Sequence, residues 1–154
     1  MLFLSSALAC PPSQTRVIES QIRRIDGIRN ARSIERDLDG FSTEGGTLIG
    51  FSARGKIHKM AATHYGETGK TRNKFYFAGG RLIFISSESA QYEKPIAVSP
   101  SAKIKRTTRS RFYFRDGHLL CVLGNAAGNA RAPNEHALLL ETRELLAVLR
   151  APKR

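Results

Sequence analysis

The sequence predicts an α+β domain: a curved antiparallel β-meander of about six strands, with an N-terminal helix and a C-terminal helix packed on the sheet. Three observations predict it. Apolar residues recur at helical spacing near both ends of the chain and at a period of two between them. Glycine-bearing turns separate the period-two runs. One hairpin pattern also occurs twice, in register, 37 residues apart.

Val17, Ile18, Ile22 and Ile25 follow helical spacing with arginines between them, so a helix is expected over about 14–26. Ser13 is its expected cap and Gly27 its end. From Thr47 the period changes to two, and strands are expected at 47–52, 56–65, 72–78, 81–86, about 103–115 and 118–123. Arg54-Gly55, Gly66 to Gly69, Gly79-Gly80 and Asp116-Gly117 fill the gaps; such short connections make hairpins and hence antiparallel pairs. Residues 88–101 contain Pro95 and Pro100 and read as a loop or irregular edge.

The repeat aligns Lys74 to Ile85 with Arg111 to Val122 without gaps, and a looser third copy runs from Phe51 to Ile57. Both close copies read basic-Phe-Tyr-Phe, two residues, Gly, then Leu after a basic residue or His. Alternation puts Phe75 and Phe77, and Phe112 and Phe114, on one face, with Tyr76 and Tyr113 on the other. The last helix starts at an Asn134 cap with Glu135 in its first turn. It carries Leu138, Leu139, Leu145, Leu146 and Leu149 as a stripe and stops before Pro152. The phenylalanine face is the expected partner of those leucines, so truncating Phe112 is expected to cost more than truncating Tyr113.

The hairpin pattern, together with Tyr65-Gly66-Glu67-Thr68-Gly69-Lys70 before it, resembles a group of small exported bacterial proteins and lipoproteins of unknown function. The resemblance covers roughly residues 44–123. It implies a cell-envelope location and assigns no catalytic residue.

The N-terminus carries a matching signal. Met1 to Ala9 is apolar with small residues at Ala7 and Ala9, like the end of a secretory signal peptide. Ala7-Leu8-Ala9-Cys10 resembles the bacterial lipobox, which makes Cys10 the candidate lipidation site. No basic residue precedes it, so this reading places the true start upstream of Met1. The expected organisation is a signal-like segment at 1–9, a tether at 10–13 and a single domain at 14–154.

Charge is uneven along the chain. The formal charge is +12 overall, zero over 1–45, +11 over 46–131 and +1 over 132–154. Such a field draws polyanions. Lys103, Lys105, Arg109, Arg111 and Arg115 alternate onto one strand face with Tyr113, and the segment they span has no acid. Together they form the candidate polyanion site, since basic strands with an aromatic grip anionic chains in some single-strand binders.

Other chemistry fails on its context. Gly69-Lys70-Thr71 resembles the tail of a phosphate loop, but His64 stands where the first glycine belongs and a strand-like segment follows. His58 and His64 share a face in regular alternation but lie too far apart to ligate one metal. Two cysteines are too few for a disulfide scaffold, and Cys121 reads as a small core residue. The expectation is therefore a non-enzymatic, cofactor-free envelope protein, periplasmic or membrane-anchored through Cys10. It would act as a binding or structural module with anionic lipid, lipopolysaccharide or cell-wall polymer as partner. Export makes nucleic acid an unsuitable partner; the alternative is a cytoplasmic polyanion- or RNA-binding protein.

Overall fold

A computed structural model describes residues 10–152, so the signal-like segment at 1–9 lies outside the described residues. The element order is α1 (Pro12–Asp26), β1 (Arg32–Asp37), β2 (Gly46–Ala53), β3 (Lys56–Tyr65), β4 (Gly69–Ala78), β5 (Arg81–Tyr92), β6 (Ile104–Arg115), β7 (His118–Gly124) and α2 (Glu135–Arg150). The sheet is a pure antiparallel meander in the order β1 to β7. It has seven strands rather than six. The extra one, β1, has Ile34 as its only apolar residue, too little for a period-two signal. As an edge strand it pairs only with β2, and its charged residues discourage pairing with another chain.

Arg54-Gly55, Gly79-Gly80 and Asp116-Gly117 all take positive φ at both positions, as type I′ hairpin turns require. β5 continues to Tyr92 through Ser86 to Gln91, a stretch expected to be largely loop. Its polar residues pair on both sides, with β4 and with β6, so backbone bonds hold it where apolar content is low.

Phe75, Phe77, Phe112 and Phe114 pack with Leu138, Leu145 and Leu149 of α2 and with Leu48 and Met60, as the alternation requires. Asn134 caps α2, its side chain accepting from the Ala137 amide at 2.9 Å. α2 comes close enough to the sheet that a Cβ added at Gly50 of β2 would lie 2.8 Å from Leu149 Cδ1.

The opposite face is not open. Tyr76, Ile83, Phe84, Tyr113 and Cys121 form a second core under Ile18 of α1, with Ile22 and Ile25 packed against it. Tyr113, expected on a solvated face, is 0% exposed. α1 begins at Pro12 with Pro11 as its N-cap and no side-chain cap, so Ser13 lies inside the helix. Proline suits the first helical position because its φ is already set and it has no N–H to leave unpaired.

The pairing explains where α1 lies. Lys59, Tyr76, Phe84, Tyr113 and Cys121 are successive register partners across β3 to β7 and form one row across the sheet. Cys10, just before α1, is disulfide-bonded to Cys121 at one end of that row. Glu19 accepts from Tyr113 Oη at 3.0 Å in the middle. At the far end Asp26 accepts from Lys59 at 2.8 Å and from Tyr76 Oη at 3.1 Å. Fifteen helical residues span about 22 Å and five strands about 19 Å, so α1 fits the row it covers.

Candidate polyanion-binding face

α1 covers one row, and the next ones on the same face lie outside it. Beyond it on the same face, Lys74 (β4), Ser86 (β5) and Arg111 (β6) are register partners, and so are Arg72, Glu88 and Arg109. Lys70, Ala90 and Thr107 form a third row. Two columns of bases, from β4 and β6, therefore flank β5, about 10 Å apart across the sheet. Residues two apart on a strand are about 7 Å apart along it. Arg72, Arg109 and Arg111 are exposed and Lys74 is half-buried.

Glu88 lies between the columns and accepts from Arg109 Nε at 2.8 Å. That bond holds the Glu88 carboxyl below the ordinary carboxylate range; its slight burial opposes the shift, and the charges of Arg109, Arg72 and Lys74 add to it. Lys74 is lowered, first by burial and then by the cations of Lys59 and Arg72. The cations thus act on one another more strongly at Lys74 than the acids Asp26 and Glu88 do, an arrangement that an added anion relieves.

The residues expected to form the site divide. Arg109 and Arg111 belong to this face. Lys105 sits in a β-bulge where the β5–β6 register shifts, and Lys103 precedes the strand. Arg115 lies on the far flank of α1, lining a groove with Val17 and Ile18, with its Nε 3.7 Å from Asp116. Tyr113 is held under α1 rather than offered for stacking, and burial, followed by its bond to Glu19, raises its phenol above the ordinary value. Lys70, Arg72 and Lys74 were missed because β4 has its own acid-free basic run, and only the pairing with β5 shows that it faces β6.

Cys10 is also placed differently from expectation. Its sulfur is bonded to Cys121, 111 residues away, with the two Cα atoms 5.2 Å apart. A lipid thioether needs the same sulfur, so disulfide and lipidation exclude each other on one molecule. Gly69-Lys70-Thr71 opens strand β4, with no helix to receive a phosphate. A bulge in the β2–β3 register at His58 breaks the expected alternation: His58 lies beside Asp26 and Lys59, whereas His64 faces Glu141 of α2.

The α2 side carries a second polar cluster, also missed because its members come from distant segments. His64 Nε2 is 3.7 Å from Glu141 Oε1, and Asn73 Nδ2 donates to that oxygen at 3.4 Å. Beside it a cavity of about 210 Å³ is lined by Asn73, Ser87, Ser110, Asn129 and Glu141 above Phe112. Among the described residues, no three His, Cys, Asp or Glu side chains gather as a metal site, and no helix is long and apolar enough to cross a membrane.

Comparison with family models, with curated proteins and with solved structures finds no match to this chain.

Proposed function

We propose that this chain is a non-enzymatic, exported envelope module that binds an anionic envelope component through the sheet face beside α1. The observation that carries the reading is the register that gathers Arg72, Lys74, Arg109 and Arg111 on the strands flanking β5, whose own acid there is Glu88. These residues come from strands well separated in sequence, so their convergence is a property of the fold and not of a local basic run. The Cys10–Cys121 disulfide supports the export half, because such bonds persist in oxidising compartments and are rare in the cytosol. It also favours a disulfide-bonded exported form over the lipid-anchored one.

Two measurements on the protein from its native host test the two halves. Thiol-trapping of rapidly quenched cells is expected to find no alkylated cysteine without prior reduction; full alkylation of both cysteines overturns export. Retention on immobilised heparin is expected to fall steeply with salt, because binding releases counterions. Retention no stronger than that of a protein of equal net charge overturns the binding site.

A further inference from the structure

The surroundings of the basic face narrow its ligand. α1 lies directly on the neighbouring row, and a helix with its side chains is about 10 Å across, so α1 stands as a wall beside a lower floor. Arg23 on that wall lines the same depression as Arg111, Ser86 and Glu19. The floor between the two basic columns is narrow, about 10 Å, and its β5 residues are short or medium: Ser86, Glu88 and Ala90. A flat lipid surface meets the top of α1 before it reaches Arg72 or Arg109. A single flexible chain reaches the floor.

Resting on the polyanion reading above, we propose that the ligand is one linear phosphate-bearing polymer laid on this floor between the two basic columns, with one end toward α1, and that Glu88 is a built-in competitor for it. Arginine forks match phosphate oxygens bidentately, and three of the four cations around Glu88 are arginines. The Glu88 carboxylate occupies Arg109 in the free protein. An incoming phosphate must displace it and then feels its charge among Arg72, Lys74 and Arg109. Glu88 therefore weakens binding and sharpens selection for ligands with several linked anions, because one anion alone gains little by displacing it.

The test measures the binding of the full, disulfide-bonded chain to three probes at equal anion concentration: inorganic polyphosphate, poly-glutamate and vesicles of mixed neutral and acidic phospholipid. Polyphosphate is expected to bind tightest, with a log–log salt slope of about −3 for four cations on a single flexible chain. Glu88→Gln, isosteric and exposed, is expected to tighten polyphosphate binding several-fold, and Arg72→Ala to weaken it. Vesicles bound as tightly as polyphosphate, with the same dependence on Arg72, overturn the linear-polymer inference in favour of a membrane surface. Equal affinity for poly-glutamate overturns the phosphate preference, and unchanged affinity in Glu88→Gln overturns the competitor role. In all three cases the polyanion reading stands. Failure of every probe to depend on Arg72 overturns that reading as well.

Discussion

Cys10 and Cys121 are joined across 111 residues of chain, and the bond fastens the start of α1 to the strand at the end of the row it covers. A cross-link closing so long a loop removes much conformational freedom from the unfolded chain. Reduction, or the double substitution Cys10→Ser/Cys121→Ser, is expected to lower stability by about 2–5 kcal/mol. Urea unfolding with and without reductant measures it. Identical midpoints would show that the bond does not tie α1 to the sheet.

The two faces of β6 are both core, which removes the expected difference between Phe112 and Tyr113. Phe112→Ala is expected to cost about 3–5 kcal/mol, and Tyr113→Ala a comparable amount, because each ring is buried beneath a helix. Tyr113→Phe removes only the bond to Glu19 and is expected to cost about 0.5–1.5 kcal/mol. Chemical denaturation of the three variants decides the matter; a near-neutral Tyr113→Ala would mean that α1 does not cover the row.

The phenols give a pH signature. Burial raises Tyr76 and Tyr113 above the ordinary value of 10.0, with Asp26 and Glu19 respectively adding to the shift, while Lys59 and Arg111 oppose it. A group whose folded pKa is raised contributes its full stability below the unfolded value and loses it as pH rises through the folded one. Stability is therefore expected to decline above pH 10, as the unfolded chain ionises first. An ultraviolet titration should show two late-ionising phenols, one of which disappears in Tyr113→Phe. Titration of every phenol at the ordinary value would contradict this.

Gly50 tests the other layer. A methyl group there meets Leu149, a side chain that is itself only 4% exposed. Gly50→Ala is expected to cost about 1–3 kcal/mol by pushing α2 outward. Combining it with Leu149→Ala should restore part of that loss, which a double-mutant cycle reads as coupling. Additive losses would place the contact elsewhere.

The central hairpins, the phenylalanine face and α2 were legible in the sequence because each leaves a periodic apolar signal ending in a turn or cap. β1 and the outer half of β5 were not, because backbone pairing holds polar residues there, as Ser86 to Gln91 illustrate. The site was half legible. Arg109 and Arg111 follow from alternation along one strand, but their neighbours Arg72 and Lys74 follow only from register between strands. α1 was visible as a helix, yet its resting place over Tyr113 follows from contacts between distant segments, such as Glu19 with Tyr113 and Cys10 with Cys121.

The binding of a polyanion at the face beside α1 is tested most directly by matched charge reversals. Arg109→Glu/Arg111→Glu and Arg143→Glu/Arg150→Glu change net charge equally, the first pair on the sheet face and the second at exposed positions of α2. Affinity for polyphosphate is measured over a salt series, with thermal melts confirming that both proteins fold. The sheet-face variant is expected to lose affinity steeply, with its log–log salt slope shallower by about 1.4, as expected when two contacts with a single flexible chain are lost. The α2 variant is expected to keep the wild-type slope. Equal losses in the two variants would mean that net charge alone retains the polymer, and would contradict the site.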